Sequence, residues 1–316
     1  MSKHLRIWLF AILGTLLTFT SLLAQGVITM TTSQRVGEEI GLSIKANGNV
    51  TIEGAQEAGK TDNLDRKSHR LTSQTITIRG DVTELNCSFN QLISLDVSKN
   101  TALTKLYCFG NELTSLDVSK NTALTTLVCS SNQLTSLDVS KTTALRKLDC
   151  CCNQLTSLDV SKNIALTELD CRENLLTSLD VSKNAVLTTL ACSWNQLTSL
   201  DVSKNIALTE LRCFSNRLTS LDVSKNIALT LLDCCINKLT SLNLSECTRL
   251  VTLYCYSNCI NDKAMTKLVN SLPNRRKKKS GTIFLVDRYS ERRDKNKYSA
   301  AHVATARKKN WVVRQY

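Results

Sequence analysis

Proline and histidine are nearly missing: 316 residues hold one proline, Pro273, and three histidines, His4, His69 and His302. A chain this poor in proline lacks the residue that interrupts backbone ladders, as a long array of repeats requires. So few histidines leave no visible nucleophile and base arrangement, so no catalytic residue is named and no enzyme is expected. Beyond the first 26 residues no stretch is apolar enough to span a bilayer, and the remainder is expected to be soluble. What the chain has in excess is repetition. Asparagine returns every 21 residues at Asn90, Asn111, Asn132, Asn153, Asn174, Asn195, Asn216, Asn237 and Asn258.

One copy reads L-x-x-L-x-C-x-x-N-x-L-x-x-L-D-V-S-K-N-x-A, seen most clearly from Leu103 to Ala123. A period of about 20 to 29 residues with this leucine spacing is the leucine-rich repeat signature. Leu106 and Cys108 alternate with the period of a strand that buries one face. No single copy can bury its leucines alone, so the copies must stack, each strand parallel to the next at about 4.8 Å. The expected fold class is α/β: a leucine-rich repeat solenoid with a parallel concave sheet. Short turns or 3₁₀ pieces should return the chain on the convex side through Asp-Val-Ser-Lys-Asn.

The copies form an internal series, so columns that stay fixed under different neighbours read as structural. Cys87, Cys108, Cys129, Cys150, Cys171, Cys192, Cys213, Cys234 and Cys255 each precede the asparagine by three residues, a position where such repeats usually carry leucine. They should form a buried thiol ladder. Parallel side chains do not converge to the Cβ separation of about 3.8 Å that a disulfide needs, so inert core thiols are expected, with no metal and no cofactor. The asparagine ladder should satisfy backbone groups where each strand ends. The convex column from Asp96 to Asp222 should cap turns beside the lysines rather than hold calcium.

Residues 1–26 have a basic start, an apolar run from Ile7 to Leu23, and small residues Ala24 and Gly26. They read as a secretory signal peptide, with an uncleaved anchor as the alternative. Export follows from either, to a secreted, periplasmic or cell-surface location. Residues 27–81 read as an amino-terminal β cap and a degenerate repeat, with Asn47-Gly48-Asn49 as a hairpin turn. Residues 82–260 are the array. Residues 261–316 read as an α/β carboxy-terminal cap: a helix from Asp262 to Leu272, a strand from Thr282, a helix after Ser299 and a last strand at Trp311.

Net positive charge is concentrated in that cap. It holds 16 Lys and Arg against 4 Asp and Glu, a net of +12, while residues 1–260 carry +1. Arg275, Arg276, Lys277, Lys278 and Lys279 form the densest run, an alternative site for anionic glycan or lipid. Nucleic acid is not an expected partner of an exported chain.

Positions flanking the strand leucines and cysteines should face the concave surface, and those are the positions that vary. They include Tyr107, Phe109, Arg172, Trp194, Arg212, Phe214, Tyr254 and Tyr256, residue types enriched at interaction hot spots. A concave protein-binding face on a monomer is the preferred reading. Asp149 and Asp170 are equivalent in adjacent copies and could form a carboxylate pair. Cys151, Cys152 and Cys235 lie outside the ladder; exposed thiols there could react or ligate metal. Spacing puts Cys151 and Cys235 about 19 Å apart, too far to pair, and no partners are assigned to Cys247 or Cys259.

The Leu-Thr-Ser-Leu-Asp-Val-Ser-Lys-Asn and Cys-x-x-Asn elements, over residues 82–260, resemble the cysteine-containing branch of internalin-like bacterial surface repeat proteins. The segment from Asp262 to Trp311 resembles the cap that follows such arrays. The resemblance implies an exported bacterial protein that binds protein partners, in adhesion or biofilm growth. Some relatives carry a surface-sorting domain, and none is evident before Tyr316.

Overall fold

The computed structural model describes residues 26–286 and 294–315. The signal-peptide reading falls on residues outside these, Gly26 excepted. Among the described residues, no helix is long and apolar enough to cross a membrane.

The amino-terminal strands are β1 (Val27–Thr32), β2 (Glu39–Glu53), β3 (Ala55–Thr61), β4 (Lys67–Leu71), β5 (Thr75–Asn86) and β6 (Leu92–Asp96). Strand β5 joins two kinds of sheet. It pairs antiparallel with β1 and β2, then its final residues Glu84, Leu85 and Asn86 pair parallel with Lys105, Leu106 and Tyr107. The cap therefore covers the first coil and hands its register to the array. The expected hairpin at Asn47-Gly48-Asn49 is not formed. Strand β2 runs on, and both halves pair with β5 around a bulge between Asn47 and Thr51. A partner twelve residues long lets the strand continue, and Gly48 at φ +98° absorbs the extra residues.

Eight three-residue strands follow: β7 (Lys105–Tyr107), β8 (Thr126–Val128), β9 (Lys147–Asp149), β10 (Glu168–Asp170), β11 (Thr189–Ala191), β12 (Glu210–Arg212), β13 (Leu231–Asp233) and β14 (Thr252–Tyr254). Each is parallel to its neighbours, in register leucine to leucine. The central leucines and all nine ladder cysteines are buried. On the convex side each return is a pair of tight turns, as where Asn121 N–H donates to Val118 C=O and Leu124 N–H donates to Asn121 C=O.

The sheet ends with β15 (Gly281–Val286) and β16 (Trp311–Gln315), both parallel. Helices α1 (Asp262–Ser271) and α2 (Ala300–Lys308) complete the carboxy-terminal cap. The N-cap of α1 is Asn261, one residue before the expected Asp262, and its side chain accepts from Ala264 N–H at 2.9 Å. His302 ties the two helices together. Its Nδ1 accepts from Ser299 N–H at 3.0 Å, and its Nε2 meets Thr266 Oγ1 at 2.8 Å.

Candidate functional site

The concave surface is built by two asparagine ladders behind it. In the first, Asn111 Nδ2 donates to Cys108 C=O at 2.9 Å and to Cys87 C=O in the preceding copy at 3.1 Å. Its Oδ1 accepts from the N–H of Asn90 and of Leu92, each at 3.0 Å. The bridging repeats down the array, so every strand end is bolted to the next by a buried amide. A second ladder, on the convex side, was read from sequence only as turn residues. Asn121 Nδ2 donates to Val97 C=O and Asn100 C=O, and Asn163, Asn184, Asn205 and Asn226 repeat the arrangement. Copy three fills this position with Thr142, whose hydroxyl donates to Val139 C=O.

The turn column behaves as expected of caps. Asp117 Oδ1 accepts from Ser119 N–H at 2.8 Å, and Asp138, Asp159, Asp180, Asp201 and Asp222 do the same. That bond holds the Asp117 carboxyl below its ordinary range.

Each strand ends in a left-handed residue just before the ladder asparagine: Phe89, Gly110, Ser131, Cys152, Glu173, Trp194, Ser215, Ile236 and Ser257. Only one is glycine. The backbone turns sharply there, and the ladder bonds on either side hold it. Ser131, exposed and at φ +53°, is therefore a site of removable strain. Ser131→Gly is expected to raise stability by about 0.5 to 1 kcal/mol in urea unfolding, after subtracting glycine's greater freedom in the unfolded chain. Gly110→Ala should do the reverse, because a Cβ there would lie 2.4 Å from the Phe89 ring.

That corner decides where the predicted binding residues lie. Trp194 is in it, beyond β11, so its ring stands at the edge of the concave face, 55% exposed. It meets Phe214 of the next copy edge-on, with centroids 6.2 Å apart. Tyr107, Phe109, Arg172, Arg212, Phe214 and Tyr254 are half-buried along the same face. Two further aromatics join them. Phe89 packs edge-on against Phe109 at 4.8 Å, and Phe284 stacks on Tyr254 at 4.5 Å. Phe89 shares Trp194's column and could have been found there; Phe284 lies on a cap strand with no repeat to mark it. The result is three aromatic pairs, the second offset from the first by five copies, or about 24 Å at the strand spacing.

Three placements differ from expectation. Tyr256 is buried, and so is Cys235, at 2% exposure; their side chains hydrogen-bond to each other across adjacent copies. Neither is available at the surface. Phe109, Arg172 and Phe214 of the same column stay half-buried, so the position in the repeat alone does not set exposure there. Arg275 is also buried: its guanidinium donates to Leu250 C=O at 2.9 Å and to Lys279 C=O at 3.0 Å. It holds the cap on the last coil and leaves the anion-binding set. Arg276, Lys277, Lys278 and Lys279 remain exposed.

Between the first two aromatic pairs lies a charged depression of about 450 Å³ lined by Lys147, Asp149, Glu168, Asp170, Arg172 and Arg212, among others. Asp149 and Asp170 face each other in register, but Asp170 is held by Arg172, whose Nη2 lies 2.6 Å from its Oδ2. The two carboxylates are not a free acid and base pair.

The comparisons agree with this architecture. The family described as Leucine Rich repeats (2 copies) matches residues 122–163; no curated protein matches the chain. Among solved structures, the functional domain of InlJ from Listeria monocytogenes, described as including a cysteine ladder, is 33% identical with a TM-score of 0.54, over 78% of this chain and 56% of that one. The Leptospira interrogans leucine-rich repeat protein LIC12759 is 22% identical with a TM-score of 0.61, over 72% and 59%. YopM, a leucine-rich effector from Yersinia pestis, is 21% identical with a TM-score of 0.50, over 69% and 62%. The latter two establish the fold alone. This chain spans less than two thirds of the length of each of the three.

The chain is thus a leucine-rich repeat solenoid. Its cysteine ladder and its likeness to InlJ relate it to the internalin-like bacterial surface proteins.

Proposed function

We propose that the chain is an exported protein that binds other proteins through its concave face, in adhesion or biofilm growth. The observation that carries this reading is Trp194, a large aromatic ring left open to solvent on a backbone held by ladder bonds on both sides. An exposed tryptophan braced by Phe214 offers much apolar area at little ordering cost. The apolar run in residues 7–23 supports export to a secreted, periplasmic or cell-surface location.

The test is a binding panel of purified bacterial and host surface proteins with the full mature chain. Trp194→Ala is expected to weaken the interaction by about 2 kcal/mol, roughly 30-fold, with thermal stability unchanged. Unaltered affinity in both Trp194→Ala and Phe214→Ala would refute the concave reading.

A second reading rests on Arg276, Lys277, Lys278 and Lys279, which stay exposed beside the end of α2, where Arg276 Nε donates to Lys308 C=O at 2.6 Å. An anionic glycan or lipid surface would suit them. Binding there should fall steeply with salt, whereas an aromatic interface should respond weakly.

A further inference from the structure

We propose that Asp149, Cys151, Cys152 and Asp170 form a site for one thiophilic divalent cation of the zinc type on the concave face. The expectation of no metal rested on the ladder, whose thiols point into the core. This corner is different. Copy four alone continues its ladder cysteine, Cys150, with two more cysteines before the asparagine. Both extra thiols are half-buried rather than enclosed.

The geometry is close to that of a ligand shell. Donor atoms of Asp149, Cys151 and Asp170 all lie within 4.8 Å of one another. Cys152 Sγ lies outside that group of three but only 3.5 Å from Cys151 Sγ, so it would have to turn toward the carboxylates to complete the shell. A tetrahedral zinc site with metal–sulfur bonds of about 2.3 Å has a sulfur–sulfur edge of about 3.8 Å, so the thiol pair is already near the required spacing. Asp149 and Asp170 approach from adjacent strands in register, which places the carboxylates on a rigid floor while the thiols come from the corner, where Cys152 is held at φ +55°. Two sulfurs and two oxygens favour zinc over magnesium or calcium, which take oxygen donors.

The charges around the donors point the same way. Lys147 pairs with Glu168 at 2.9 Å and Arg172 with Asp170. Asp149 makes no ion pair among the described residues; it accepts from Cys151 N–H at 3.2 Å and from the Ser130 hydroxyl at 3.4 Å. Binding replaces the two thiol protons with one dication and releases two protons, and Arg172 and Lys147 remain to offset the negative shell.

Anaerobic titration of the reduced full chain with Co²⁺ tests this directly. The expected result is a thiolate-to-cobalt charge-transfer band saturating at one equivalent, erased by one equivalent of Zn²⁺, with about two protons released per ion. Cys151→Ser and Cys152→Ser should lose the band, Asp149→Asn should weaken binding more than about tenfold, and Cys259→Ser, altered at the other half-buried cysteine, should match the parent. Zn²⁺ should also shield Cys151 and Cys152 of the unaltered chain from alkylation, a readout independent of how the variants fold. No thiolate band, a band that survives Cys151→Ser, or alkylation unchanged by Zn²⁺ would overturn the proposal.

Discussion

Above about pH 9 the array is expected to lose stability at about 12 kcal/mol per pH unit and to unfold within roughly one further unit. The nine ladder thiols are fully buried, and burial pushes Cys87 up to about 12 and Cys108, Cys150, Cys171, Cys192 and Cys234 well above the ordinary thiol value. In the unfolded chain the same thiols ionise near pH 8.5. The unfolded state therefore releases protons that the folded state keeps. Stability is complete below the unfolded value and falls as pH rises toward the folded one. Each thiol contributes about 1.4 kcal/mol per pH unit in that window, and the ladder repeats it nine times. Urea midpoints in reducing buffer at a series of pH values from 8 to 10.5 measure the slope. Lysines and tyrosines also titrate there, so the decisive readout is the change per cysteine removed. Cys171→Ala should reduce the slope by about 1.4 kcal/mol per unit, and Cys171→Ala with Cys192→Ala by about twice that. Slopes that ignore these replacements would show that the ladder thiols do not govern alkaline stability.

Asn174→Ala should cost about 3 to 5 kcal/mol and split unfolding of the array into two steps. Asn174 Nδ2 donates to the carbonyls of Cys150, Cys171 and Arg172, and its Oδ1 accepts from Leu155 N–H at 2.9 Å. Removing it leaves Leu155 N–H buried without an acceptor. The Cys150 and Cys171 carbonyls keep only the amides of Asn153 and Asn195. In a solenoid each copy contacts only its neighbours, so a defect at the fifth of nine copies uncouples the two halves. Asn174→Asp is the sharper contrast. Its carboxylate would face three carbonyls, so its folded pKa should rise, and the stability lost at neutral pH should return on acidification as the group regains a proton to donate. Urea unfolding followed by circular dichroism decides it: a single transition with a loss below about 1 kcal/mol would mean the ladder amides are dispensable.

The array was legible because its copies align with one another. Leu106, Cys108 and Asn111 recur under changing neighbours, which separates core positions from the exposed Thr, Glu and Lys between them. The caps were legible in outline from alternation and from the helix start at Ser299. Less accessible was anything fixed by tertiary bonds alone. The left-handed corner carries phenylalanine, glutamate, isoleucine and tryptophan, residues with no turn signature, because the bonds around it impose its conformation. It moved Trp194 from a strand to the edge of the face. The second asparagine ladder hid inside a segment that also reads as a good turn. Burial of Arg275 depended on carbonyls in Leu250 and Lys279, which no charge count can reveal. The concave aromatics were found by their variability, and the Asp149 to Cys152 corner by its departure from the repeat.

The most direct test of a concave binding face is amide hydrogen exchange of the full mature chain, free and bound to the partner selected by the panel. Protection is expected in the corner and strand residues from Ala191 to Phe214, extending to neighbouring strands β10 to β14, with the turn at residues 276–279 unchanged. Protection confined to residues 276–279 and α2, with the concave strands exchanging as in the free chain, would contradict the account and move binding to the basic cap.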